Sequence, residues 1–258
     1  MPANAIGFLP VILAAWVGAC FGSFSNVLIY RLPRNLGVVG GRSFCPSCRR
    51  TVAIYDNIPI FSWLLLRGRC RHCTAGIPVR YLLVELAGAG CALTGIARFG
   101  WSVEGLSASL FLLILLDIAM IDWQHMVIPH TLTVGGALIG LVLSLFGGIG
   151  LPAALLGAAA GAGAILAVSY GYKIVRGVVG MGGGDVMLMG MVGVYTGAWG
   201  VLGTLFGGAL LGTVFALTAG RGKVDGNAKL PFGTFLAAAA AIVLLFGAEI
   251  GAWYLARF

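Results

Sequence analysis

Residues 186–220 read VMLMGMVGVYTGAWGVLGTLFGGALLGTVFALTAG, a run without Asp, Glu, Lys or Arg. A membrane-crossing helix needs about 20 mainly apolar residues. The run is therefore too long for one ordinary span and sufficient for two short ones. The segment TGAWG at 196–200 is the natural place to break it. The choice decides the fold. As two spans the run returns the chain to the side it came from; as one, it moves everything that follows across the membrane.

The remainder of the sequence has the same character. Hydrophobic residues make up 60% of the 258, charged residues 9%, and the mean hydropathy is +1.02. A soluble domain of this length needs far more polar surface, so the chain reads as an integral membrane protein. Residues 1–30, 123–172 and 230–248 are also free of Asp, Glu, Lys and Arg, and 123–172 can hold two spans and a turn. Two further spans are predicted at 78–97 and 103–121, which contain Glu85 and Asp117. The expectation is an all-α polytopic protein of about eight transmembrane helices. The 42 glycines suit such a bundle, because small residues spaced four apart let helices approach closely. Candidate pairs are Gly157/Gly161, Gly203/Gly207 and Gly208/Gly212. No internal repeat is strong enough to use.

Basic residues give the orientation. Nothing basic precedes the first apolar stretch, which ends at Arg31, the reverse of a cleaved secretory signal. Segment 31–80 carries nine Arg; Lys173 and Arg176 follow the fifth span, and Arg221, Lys223 and Lys229 follow the seventh. In the eight-span reading these fourteen share one side, leaving Arg98 and Arg257 on the other. By the positive-inside rule the first side is cytoplasmic and both termini lie outside. Three units follow: a first transmembrane helix at 1–30, a cytoplasmic loop domain at 31–80, and a multi-helix membrane domain at 81–258. The net charge of +8 is explained by basic loops facing anionic lipid headgroups, and no nucleic-acid partner is expected.

The polar loop contains CPSC at 45–48 and CRHC at 70–73. Cys45, Cys48, Cys70 and Cys73 thus form two C-x2-C knuckles, the pattern of a closed, structural zinc site. Two disulfides are the alternative, but a cytoplasmic loop stays reduced. A metal would fold a segment too small and too polar to make its own core. His72 reads as a solvated neighbour rather than a further ligand, and Cys20 and Cys91 as small core residues.

Asp122 closes the third predicted span and Asp185 opens the sixth, so both fall at the same edge of the membrane. Two carboxylates meeting in a poorly solvated cleft do not both ionise easily and titrate as a unit. Aspartic proteases use this arrangement: one carboxylate takes a proton from water and its protonated partner hydrogen-bonds the peptide carbonyl. Gly182, Gly183 and Gly184 form a candidate substrate-site loop that brings backbone close to Asp185 without side-chain obstruction. Plainer roles remain open, since Asp185 could cap its helix and Asp122 could mark the interface. Asp117 reads as paired internally with a polar group.

Several stretches together resemble the prepilin leader peptidases, the type IV prepilin peptidase and N-methyltransferase enzymes of bacterial pilus and type II secretion systems. They are GSFSNVLIYRLPR (22–34), both cysteine knuckles, DNIPIFSWLLLRGRC (56–70), RYLLVE (80–85), IDWQHMVIP (121–129) and GMGGGDV (180–186). The resemblance implies a GxGD-type intramembrane aspartic protease of the bacterial inner membrane, with Asp122 and Asp185 catalytic and prepilins or pseudopilins as substrates. Cleavage falls on the cytoplasmic side, after the glycine ending a short basic leader. It further implies N-methylation of the new terminus from S-adenosylmethionine, a step associated with the first cytoplasmic loop. Asn26, Arg31, Asp56, Asn57 and Glu85 are candidates for that step, each with a plain structural alternative. Two positions depart from the family pattern: Met187 stands where a lysine is usual and His130 where an acidic or amide residue is usual. A proton-coupled transporter with a structural zinc domain, its buried aspartates relaying protons, is the competing reading, and a non-catalytic scaffold is a third.

Overall fold

The computed structural model describes residues 8–38, 41–177, 181–219 and 230–257. The basic cluster Arg221, Lys223 and Lys229, the first seven residues of the predicted first span and Gly180 of the GMGGGDV motif lie outside them. Among the described residues the helices are α1 (Phe8–Arg31), α2 (Phe61–Leu65), α3 (Val79–Phe99), α4 (Val103–His125), α5 (His130–Ser144), α6 (Leu151–Arg176), α7 (Gly183–Ala219) and α8 (Phe232–Leu255). The only β pairing there is two isolated bridges, in the polar loop.

Six of these helices are long and apolar enough to cross a membrane, and α5 is a shorter apolar helix. The decisive run, α7, is interrupted at Gly197, whose φ of 68° and ψ of −178° are not helical. Packing shows that the chain turns back there. Gly184 lies against Ile128, while the Phe215 ring meets the Trp123 ring with centroids 5.5 Å apart. A straight helix from 184 to 215 would be about 46 Å long, and five residues from 123 to 128 reach at most about 18 Å. The second arm then runs antiparallel to α8, with Gly203 against Val243, Gly207 against Ala239 and Gly212 against Phe235. With α5 included and the two arms of α7 counted separately, the described residues form eight long helical segments, the number expected.

Small residues set the close contacts. In α6, Gly157 and Gly161 pack directly on the backbone of the first α7 arm at Gly193 and Met189, leaving no room for a Cβ. In the amino-terminal half, Gly18 and Gly22 of α1 cross Gly88 and Glu85 of α3. With no water to expel between helices in lipid, this close van der Waals packing holds the bundle together. Helix α4 is the hub, with Phe111, Ile118 and Ile121 fully buried and α3, α5 and α8 around it.

Two expectations need correction. The third span does not end at 121: α4 continues through the polar residues Asp122–His125 to a left-handed cap at Met126, whose N–H returns to the Asp122 carbonyl at 2.8 Å. Asp122 therefore lies one turn inside the helix. Cys20 is not a core residue, because it faces outward from α1.

Candidate active site and metal centre

The α4 carboxyl end, the 126–129 connection, the α7 amino end and the α8 amino end converge on one small region. Asp122 is 5% exposed. Its Oδ2 accepts hydrogen bonds from the Thr234 backbone N–H (2.7 Å) and hydroxyl (3.2 Å). The Thr234 hydroxyl also meets the Ala119 carbonyl at 3.1 Å, which ties the first turn of α8 to the last turns of α4. Gly233 permits this, since a Cβ there would lie 3.0 Å from Asp122 Oδ2 and 2.7 Å from Ile128 Cδ1.

Asp185 sits in the first turn of α7, where its Oδ2 accepts the Gly182 N–H at 3.1 Å. This is the bond that the third helical residue of a capping box makes back to the N-cap, so Asp185 supports the helix start from its first turn while Gly182, not Asp185, occupies the N-cap position. Ile128 joins the halves: its Cβ would be 3.0 Å from a Cβ on Gly184, and its Cδ1 touches the Gly233 position beside Asp122. The helix ends that carry the two acids, 63 positions apart in sequence, are thus neighbours. Of the three loop glycines, Gly184 is tight against Ile128, whereas Gly183 has open space and Gly182 lies within ordinary contact of Asp185. Met187 is 46% exposed and His130 is exposed. Asp117 is buried apart from the pair, beside Ser25 of α1, with Oδ1 unpartnered.

Reading the sequence missed Thr234, Gly233 and Ile128. The signal for the first two is faint: Gly-Thr two residues after Pro231, near the start of an apolar run. Nothing in a sequence tells that this start abuts Asp122.

The polar loop holds a second site. The four sulfurs of Cys45, Cys48, Cys70 and Cys73 lie within 4.8 Å of one another, and Cys45 and Cys73 are 3.7 Å apart. Zn–S bonds of about 2.3 Å in a tetrahedron put sulfurs about 3.8 Å apart. All four thiols are free of disulfides. The knuckles are near-copies. In each, the first cysteine's N–H bonds the carbonyl five residues on (Cys45 to Arg50, Cys70 to Ala75), and the flanking bridges are Phe44 with Thr51 and Arg69 with Gly76. Arg49 and Thr74 take positive φ at equivalent places. The backbone N–H groups of Cys48 and Ser47 pull the Cys45 thiol down, while, against the Ala75 N–H, burial and the three other thiols push Cys73 up, so the four sulfurs titrate as one set. Bidentate hydrogen bonding from Arg71 holds the Asp56 carboxyl below its ordinary range.

Between this loop, α1 and α3 lies a cavity of about 270 Å³. Its lining includes all five candidates for the methyl-transfer step: Asn26, Arg31, Asp56, Asn57 and Glu85. Asn26 is 3% exposed; its amide nitrogen donates to the Tyr81 carbonyl at 3.1 Å and its Oδ1 has no partner. Glu85 Oε2 accepts the Ile60 N–H at 2.6 Å. Ile60 has φ 67° and ψ −57°, a strained γ-turn for a β-branched residue, closed by the Phe61 N–H to the Pro59 carbonyl at 2.7 Å. A side-chain link from Arg80 on α3 to Gln124 on α4, 2.9 Å long, connects this region to the Asp122 helix end.

Two family models match. Residues 16–99 match the Bacterial Peptidase A24 N-terminal domain and residues 109–217 the Type IV leader peptidase family. The chain is 38% identical over 213 residues to the prepilin leader peptidase/N-methyltransferase of Myxococcus xanthus, covering 80% of this chain and 63% of that protein, less than two thirds of its length. It is 35% identical over 287 aligned residues to the protein of the same name from Stutzerimonas stutzeri, covering 99% of this chain and 96% of the relative. With that of Burkholderia pseudomallei the identity is 33% over 258 residues, covering 90% and 84%. No solved structure is a significant match.

Proposed function

The chain belongs to the type IV leader peptidase family, and on that premise we propose that it cleaves leader peptides from prepilins or pseudopilins with Asp122 and Asp185 and N-methylates the new terminus. The observation that supports the proteolytic half is that Ile128 packs against Gly184, next to Asp185, and against Gly233, next to Asp122, so that the helix ends carrying the two acids are neighbours. Each carboxylate is tethered through Oδ2, Asp122 by Thr234 and Asp185 by Gly182. Its second oxygen is left for a shared water.

The pair works as a unit. One carboxylate takes a proton from water as it attacks the scissile carbonyl; the protonated partner hydrogen-bonds the carbonyl oxygen and stabilises the developing charge. The apolar first helix of the pilin supplies binding energy from lipid-facing contacts, while the tethers keep the acids in register. The cleft and the cysteine loop lie on the cytoplasmic side of the bacterial inner membrane with both termini outside, as the fourteen basic residues on that side favour. The same residues attract anionic lipid headgroups. The charge needs no nucleic-acid partner.

Cys45, Cys48, Cys70 and Cys73 hold a structural zinc ion, which ties the two knuckles into one wall of the cavity. That cavity takes S-adenosylmethionine, which when bound supplies an electrophilic methyl group on a sulfonium. Residues present there fit it: the aromatic faces of Tyr30, Trp63 and Tyr81 suit a purine, and the orphaned Asn26 Oδ1 is a buried acceptor awaiting a donor. No observation favours the transporter alternative, which would place its acids near mid-membrane.

The test is direct. Purified protein in detergent is mixed with a prepilin and the product masses are read. A leader-sized loss with wild type, abolished by Asp122→Asn and by Asp185→Asn, supports the reading. Undiminished cleavage in either variant overturns it.

A further inference from the structure

Of the acids lining the loop cavity, Asp56 is already taken by Arg71. Glu85 is 8% exposed and makes no ion pair among the described residues. A buried carboxylate without a cation is costly to keep in a membrane helix unless it serves an arriving one. We infer that Glu85 accepts the proton released when a primary amine, the new amino terminus of the cleaved substrate, is methylated in this cavity. The inference rests on the methyltransferase half of the proposed function.

Three features point to this residue rather than to the loop. Glu85 lies where α3 crosses α1 at Gly22. Gly22 is nine residues from Arg31, about 14 Å along the helix. The loop reaches down to meet it there, since Phe61 of α2 packs against Trp16 with ring centroids 6.0 Å apart. The cavity floor is thus at membrane depth, where the terminus of an apolar substrate helix emerges. Second, the carboxylate is aimed: the strained turn at Ile60 holds Oε2 at 2.6 Å, and Ser23 of α1 is a lining residue beside it. Third, both reactants of methyl transfer are cations, an ammonium and a sulfonium, and Glu85 is the lining acid that no cation already pairs.

The step balances on these groups. Glu85 removes a proton from the ammonium, and the freed nitrogen lone pair forms the N–CH3 bond. The S–CH3 bond breaks with its electron pair left on sulfur, which becomes a neutral thioether. The proton stays on the carboxyl until it exchanges with water.

Glu85→Gln is the discriminating variant, because its amide oxygen can still accept the Ile60 N–H. Three readouts are taken on one preparation: leader cleavage, methyl gain by mass, and binding of S-adenosylhomocysteine by calorimetry. The homocysteine form lacks the sulfonium, so its binding reports an intact cavity. The expected result is cleavage and binding within about threefold of wild type and methylation reduced at least 100-fold, the ordinary weight of a proton-transfer group. Glu85→Asp restores at least tenfold over Glu85→Gln. Methylation within threefold of wild type in Glu85→Gln overturns the inference. Joint loss of binding or cleavage, or an Asp variant as inactive as Gln, makes the residue structural and overturns it as well. A wild-type chain that cleaves but adds no methyl group removes the premise instead, an outcome visible before any variant is made.

Discussion

The acidic cleft and the thiol-walled cavity sit near each other, joined by Arg80 and Gln124, yet they are assembled by different physics. The cleft is made by helix ends brought together over long sequence distances, through contacts at Gly184, Gly233 and Ile128. Its geometry is only as good as the packing of α4, α7 and α8. The cavity's outer wall is local, two near-identical knuckles of short backbone bonds around four sulfurs. On the proposed reading it depends on a metal held by the four thiols. Damage to the membrane packing should therefore fall first on cleavage, and loss of the metal on methyl transfer.

The largest effect should come from the acids. Asp122→Asn or Asp185→Asn lowers the cleavage rate by about 10³-fold or more, as expected when a member of a catalytic unit is removed, while S-adenosylhomocysteine binding, followed by calorimetry, stays at the wild-type value. Next is the metal. Elemental analysis should give one zinc per chain, and its removal with a chelator, or Cys45→Ser with Cys48→Ser, should lower methylation about 100-fold but cleavage by less than about tenfold, because the wall unfolds without its ion. Equal loss of both activities would break the comparison. A smaller change tests the tether: Thr234→Val removes the hydroxyl bond to Asp122 Oδ2 but keeps the N–H bond. A net hydrogen bond contributes about 1 kcal/mol, so cleavage falls about fivefold with methylation unchanged on a pre-cleaved substrate.

The smallest effect is in the loop's acid stability. Arg71 holds Asp56 below the ordinary carboxylate range. A group depressed on folding adds stability above its unfolded value, about 3.9, and loses it as pH falls through the lower folded value. Zinc-release midpoints in urea should thus be lower for Asp56→Asn than for wild type at neutral pH, and the gap should narrow as pH falls toward the acid at which the protonated thiols themselves release zinc. A difference unchanged at low pH would assign the pair no part in that stability.

The fold was largely legible in the sequence because lipid makes a strict demand: long uncharged runs must become helices whose backbones satisfy themselves. Even the break in the 186–220 run could be read, since TGAWG contains the glycine that turns the chain at Gly197. The end of α4 was harder. Asp122–His125 are polar but continue the helix, and apolarity says nothing about where a helix stops once it leaves the hydrocarbon. The knuckles were legible from spacing, though their mutual likeness lies in backbone bonds rather than side chains. Counting spans gives one edge for Asp122 and Asp185 as an expectation, and the structure sets the helix ends that carry them side by side at Ile128. Thr234, Gly233 and Ile128 could not be placed around them, because pairing of helix ends is a tertiary fact. The five scattered residues Asn26, Arg31, Asp56, Asn57 and Glu85 likewise became one cavity lining only in three dimensions.

The account turns on two acids acting on one water. A peptide carrying a hydroxyl-bearing tetrahedral mimic at the scissile bond should bind wild type at least 100-fold more tightly than the matching amide substrate, as transition-state mimics do. Measured in a double-mutant cycle, Asp122→Asn and Asp185→Asn should each abolish nearly all of that preference, and the double variant should lose no more than either single one. Additive losses, or a full preference kept in one single variant, would contradict a shared site.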